Sequence, residues 1–215
     1  MIGQGVLIEC LEDEAVTSVL VVGRKSCGRT DPKLTERLLK DPGDLSSIDD
    51  DLTGLDACFW CLGISSVGMS EAEYRRITLD LTVRAATTLA EKSPGLTFAF
   101  VSGRSTDHTG KSSQMWARVK GEAENAVLAL PFARAFAFRP AYIHPEKGVK
   151  VDHSPYAWVY KLTKPLGKTL VKHLPGSATT TSAVGRAMLQ VAQNGYGKPR
   201  LESEDINDAA ALWPG

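Results

Sequence analysis

The sequence predicts one α/β domain, a doubly wound, mostly parallel sheet with helices on both faces. Short apolar runs alternate along the chain with segments of helical periodicity, and that alternation is how parallel strands are joined by crossover helices. The 215 residues, 43% of them apolar, are enough to bury one continuous core. No internal repeat or low-complexity linker divides them, so residues 1–215 are read as a single domain.

The elements follow in order. In residues 3–13, Val6, Leu7, Cys10 and Leu11 recur at helical spacing, and Glu12, Asp13 and Glu14 close the segment. The β-branched run 18–22, halted by Gly23, reads as a strand buried on both faces. A short helix is expected over 33–40, then a turn-rich stretch over 41–51 and an apolar run over 57–62. A helix over 70–92 is expected to be capped by Ser70, with Glu71 and Glu73 in its first turn. A strand over 97–101, a polar loop, a helix over 113–130 and a strand over 135–138 continue the rhythm. Past Pro140 the pattern loosens; residues 142–181 read as a substrate-side cap, and 182–194 as an amphipathic helix.

Composition excludes some partners. Lys plus Arg total 25 and Asp plus Glu total 25, so no global field draws the chain to nucleic acid, and any anion site must be local. The apolar runs are too short to cross a bilayer, and Met1 is not followed by a basic and then apolar leader, so a cytoplasmic location is expected. The segment with Lys161, Lys164, Lys168 and Lys172 among Trp158, Leu162, Leu166 and Leu170 is interrupted by Pro165 and Gly167. It is read as a lid over a polar or anionic substrate in preference to a membrane-surface helix. Cys10, Cys27, Cys58 and Cys61 are expected as reduced thiols. Cys58 and Cys61 lack the further ligands of a zinc site and the helix N-terminus of a redox pair, so no metal is expected.

Five short segments carry the chemistry. Met1-Ile2-Gly3-Gln4-Gly5 opens a helix, and a dinucleotide fold binds its pyrophosphate at such an N-terminus, after a strand and a glycine-rich turn. Gly23-Arg24-Lys25-Ser26 follows the second strand of such a fold, where Arg24 and Lys25 can meet the 2′-phosphate of NADP, whereas NAD would call for an acid. Val101-Ser102-Gly103-Arg104-Ser105 ends a strand, and Met115-Trp116-Ala117-Arg118-Val119-Lys120-Gly121 opens a helix. Phe138-Arg139-Pro140-Ala141-Tyr142-Ile143-His144 leaves the next strand, with Pro140 fixing the backbone there.

Together these segments resemble the atypical and extended short-chain dehydrogenases, and most closely the short NAD(P)-binding epimerase-like proteins whose motif reads MWARVKG. The resemblance spans Gly3 to about Ile206 and implies a Rossmann-type fold. It makes Gly3 the last glycine of TGxxGxxG, with the first strand and the first two glycines, about ten residues by ordinary element lengths, missing. Loss of that central strand would leave its neighbours unpaired. The resemblance further places Gly3, Gln4, Arg24, Lys25, Leu62, Gly63, Lys120 and Pro140 around an NADP, preferred over NAD.

It names Ser102, Trp116, Lys120 and Tyr142 as the catalytic neighbourhood, with His144 as a further proton-transfer group near the site. The chain departs from the pattern at two places. Trp116 stands where the family has the proton-transferring tyrosine of YxxxK, and an indole N–H, a donor only, cannot act as that general acid or base. Gly103 stands where the catalytic serine would fall, leaving Ser102 and Ser105 as the nearby hydroxyls. The expected function is an NADP-binding oxidoreductase or epimerase-like protein acting on a small molecule. The alternative is a catalytically silent NADP-binding sensor or interaction module; a homo-oligomer is compatible with either.

Overall fold

The computed structural model describes residues 1–151, 169, 171 and 173–214. The chain opens with α1 (Ile2–Glu12), then β1 (Val19–Gly23) and β2 (Leu34–Leu38). A 3-10 segment (Ser46–Leu52) leads to β3 (Ala57–Trp60). One long helical run follows, made of α2 (Glu71–Arg75), a π-helical turn (Arg76–Asp80) and α3 (Leu81–Lys92). Then come β4 (Thr97–Val101), α4 (Met115–Leu128), β5 (Arg134–Arg139), β6 (Tyr142–His144) and β7 (Ala178–Thr180). The chain ends with α5 (Thr181–Gln193), β8 (Arg200–Glu202) and α6 (Ser203–Leu212).

Among the described residues every ladder is parallel: β2 with β1, then β3-β4-β5-β8 in that order, and β6 with β7. Helices cover both faces. One core joins α1, α5 and α6 to the sheet through Val6, Phe136, Phe138, Val184, Met188 and Ile206. The other joins α3, α4 and the 3-10 segment through Ile48, Leu52, Leu89, Phe98, Phe100 and Val127. β4, buried at every position, separates the two cores, as the strand in the middle of such a sheet must.

Two expectations are corrected. Residues 33–40 are not a helix: Leu34–Leu38 is a strand whose register with Val19–Gly23 is held by the ladder, so a tertiary partner overrides the local helical spacing of Leu34, Leu38 and Leu39. The strand at 18–22 is not buried on both faces either. All five residues of β1 are only half-buried, because β1 pairs with β2 on one side and with no described strand on the other. The predicted cap at 142–181 begins and ends in β6 and β7, which pair with each other; the basic lid segment lies outside the described residues, apart from isolated positions. β8 and α6 carried no separate expectation.

The helix start at Ser70 stands as read. Ser70 closes a full capping box with Glu73, each side chain satisfying the other's backbone N–H. The cysteines are all free thiols. Cys58 and Cys61 sit in apolar surroundings that push both thiols up to about 12, which suits packing and not redox chemistry.

Candidate dinucleotide site

The C-terminal ends of parallel strands are where a doubly wound fold binds ligands, because the strand-to-helix loops gather there. α1 begins at that edge. A Cβ added to Gly3 would lie 3.3 Å from the Cβ of Cys61, the residue just past β3, so the helix N-terminus stands directly against the loop carrying Leu62 and Gly63. Among the described residues no side chain caps α1, so the N–H groups of its first turn are left for another partner. Gly3, Gln4, Leu62 and Gly63 are all exposed, and the Gln4 side-chain oxygen accepts the Lys150 N–H at 3.3 Å.

The second half of the site is built by β4, α4 and β5. Ser102 follows β4, and its N–H donates to Phe138 O at 2.8 Å. Lys120 lies on the α4 face that turns towards this strand end, and its Nζ donates to Ser102 O at 2.5 Å. Burial pushes the Lys120 ammonium down to about 8, against the opposing pull of the Glu124 carboxylate one turn further on. Trp116 lies one turn before Lys120, on the same helix face, and is half-buried. Pro140 follows β5; its carbonyl accepts the Arg104 N–H at 3.0 Å, which ties the loops after β4 and β5 together. Tyr142 is half-buried on β6, and His144, two residues on, is buried with no hydrogen-bond partner at Nδ1 among the described residues.

Ser102 has a different neighbourhood from the one its sequence position suggested. Its hydroxyl donates to Glu124 Oε1 at 2.5 Å. Glu124 is wholly buried and is gripped by Arg139, at 2.8 Å through Nε and 2.5 Å through Nη2, with Arg200 at 3.3 Å. The serine therefore completes a buried ionic cluster that locks α4 to β4, β5 and β8. Sequence reasoning missed Glu124 and Arg139. The available signal was Arg139 directly after the apolar run 135–138, since a buried guanidinium requires a carboxylate partner.

Arg24 and Lys25 stand exposed just past β1. The same turn carries an acid: Glu36 of β2 accepts the Cys27 N–H at 2.6 Å, and hydrogen bonds from the Cys27 backbone and the Ser26 hydroxyl hold its carboxyl below the ordinary value. Thus the structure gathers Gly3, Gln4, Leu62 and Gly63 into one group and Ser102, Lys120, Trp116 and Pro140 into another along one edge. Two cavities open elsewhere. One of about 340 Å³ lies between Leu11 and Asp31, and one of about 430 Å³ between Leu128 and Arg200.

No protein-family model matches the sequence. Solved structures do match the fold. The enzyme WbmG of Bordetella bronchiseptica in complex with NAD superposes with a TM-score of 0.64 at 11% identity, over 98% of this chain and 74% of that one. A UDP-galactose 4-epimerase gives 0.62 at 16% identity, over 94% and 72%. MoeE5 in complex with UDP-glucuronic acid and NAD gives 0.62 at 18% identity, over 93% and 71%. This chain has their fold. It is a Rossmann-type α/β domain of the kind those NAD-bound proteins and the epimerase share, and the edge described above is its C-terminal edge. Among the described residues no helix is long and apolar enough to cross a membrane.

Proposed function

We propose that the chain binds a nicotinamide dinucleotide along the C-terminal edge of its sheet and works as an oxidoreductase or epimerase-like protein on a small molecule. The observation that carries this is the uncapped N-terminus of α1 standing against the loop of Leu62 and Gly63, on the edge where Lys120 also emerges. The groups present fit such a ligand. First-turn N–H groups suit a pyrophosphate, a lysine at a strand end suits ribose hydroxyls, and Arg24 and Lys25 suit an adenosine phosphate. Structurally similar proteins are described in complex with NAD, which supports the ligand class.

When bound, the nicotinamide supplies hydride transfer. The chain's own residues would position it: Lys120, anchored to Ser102 O, would hold a ribose, Gly3 lets the start of α1 stand close against Cys61, and Pro140 fixes the backbone where the chain leaves β5. Arg24 and Lys25 favour NADP. Glu36 at the same turn opposes a 2′-phosphate, so the expected preference is small.

A second reading, binding without turnover, is favoured by a specific observation. Trp116 has no group that ionises near working pH and the Ser102 hydroxyl is committed to Glu124, so the two groups that would handle a substrate carbonyl are absent or occupied. Turnover assays with a panel of aldehydes, ketones and nucleotide sugars, run with NADPH and NADH, separate the two readings. Consumption of reduced cofactor supports the enzyme, whereas tight binding with no turnover by the chain supports the silent module.

A further inference from the structure

Arg104 stands exposed on the loop that follows β4, and contacts from the ends of two other elements fix it there. Its own N–H donates to Pro140 O at 3.0 Å, which sets its backbone against the end of β5. The turn after it is held as well. Ser105 takes φ 67°, in the left-handed region, and Thr106 bonds back to Gly103 O through its N–H at 3.2 Å and its hydroxyl at 2.7 Å. The guanidinium Nη1 donates to Ser177 Oγ at 2.8 Å. Ser177 is itself pinned just before β7, its N–H donating to Leu174 O at 2.8 Å and its carbonyl accepting the Tyr142 N–H at 3.2 Å.

What Arg104 lacks is a counter-charge. Arg139, Arg186 and Arg200 each pair with a carboxylate, and Arg134 donates to the last carbonyls of α5. Among the described residues Arg104 is held by a neutral hydroxyl and pairs with no carboxylate. Glu204 of α6 comes to the neighbouring Gly176, its Oε2 4.0 Å from where a Cβ would stand, without pairing with Arg104. Holding a long exposed side chain in one geometry costs rotamer entropy, and one bond to a neutral hydroxyl offsets little of it. An arginine held in this way keeps most of its N–H donors open, in a planar fork that matches a carboxylate or a phosphate. Its place is the strand end where Lys120 Nζ meets Ser102 O, so the loop after β4 has a buried ammonium at Ser102 and an open guanidinium two residues on.

We propose that the small molecule this chain takes is an anion, a carbonyl or hydroxy compound bearing a carboxylate or phosphate, and that Arg104 binds the charged group while Ser177 positions Arg104. Calling that anion the substrate rests on the dinucleotide reading above; the anion site itself rests on Arg104 and Ser177.

The test is a nitrogen-15 NMR titration of the intact chain with inorganic phosphate and, separately, acetate, against sodium chloride at matched ionic strength and uncharged acetamide. It is read at the Arg104 Nε–H and at the amides of Gly103 and Ser177, with and without NADPH. Phosphate or acetate should give a saturable shift that chloride and acetamide do not, and the stronger of the two names the charged group. Arg104→Gln should weaken that binding by at least about tenfold, read at the two amides. Ser177→Ala should weaken it less, with Ser177→Thr restoring it. No saturable shift with either anion would overturn the proposal, as would undiminished binding in Arg104→Gln. A shift of Arg104 Nε–H by NADPH alone that blocks both anions would also overturn it, because the arginine would then belong to the dinucleotide. Tryptophan quenching by NADPH in the same samples separates the two readings: quenching without an anion shift sinks this proposal alone, whereas an anion shift without quenching supports the anion site and sinks the dinucleotide reading.

Discussion

Lys120 connects the fold's energetics with its proposed binding role. Its pKa falls from the ordinary 10.5 to about 8 in the folded chain because burial disfavours the ammonium. Between those two values the unfolded chain binds more protons than the folded one, so the Lys120 contribution makes the fold more stable as pH rises through that window. Lys120→Met should remove that rise, which denaturant midpoints at pH 7 and pH 10 would show, and should also weaken dinucleotide binding. Glu124 marks the opposite kind of residue, buried and ionic but without a place at the ligand edge. Glu124→Ala leaves Arg139 and Arg200 without their carboxylate and should cost about 3–5 kcal/mol in denaturant unfolding. Ser102→Ala removes one hydrogen bond to that carboxylate and should cost about 2 kcal/mol, with dinucleotide affinity unchanged. A large loss of affinity in Ser102→Ala would place its hydroxyl at the ligand instead.

Helices are held to their neighbours at points where only glycine fits. A Cβ on Gly121 of α4 would lie 1.9 Å from Asp107 O, in a loop that also donates its Asp107 N–H to Ala117 O at 3.0 Å. Where α1 crosses α5, a Cβ on Gly5 would lie 2.6 Å from the Thr181 Cβ, and one on Gly185 would lie 2.9 Å from the Glu9 Cβ. Gly121→Ala should cost about 1–3 kcal/mol or more, since backbone must move to admit the methyl group, and thermal unfolding of the variant would measure it. These contacts are illegible in sequence, where Gly121 reads only as a poor helix former. By contrast β4 and the Ser70 cap were legible, because a five-residue apolar strand and a capping box are local patterns. Residues 34–38 misled for the opposite reason: their helical spacing is local, and their strand partner is not.

At the scale of the whole molecule, the alternation of apolar runs and amphipathic segments was sufficient to read a mostly parallel, doubly wound fold. The candidate site was legible where it depends on short motifs, such as Gly3 at a helix start and Lys120 one turn after Trp116. The partner of Ser102 was not, because Glu124 comes from a different element and reveals itself only when α4 packs on β4 and β5. Dinucleotide binding at this edge is the central claim, and a fluorescence titration of the chain with NADPH and NADH in parallel, read through its four tryptophans, tests it directly. Saturable quenching with a small preference for NADPH, weakened in Lys120→Met, is the expected result. Absence of saturation with either nucleotide would contradict the assignment of α1, Leu62, Gly63 and Lys120 to a dinucleotide site.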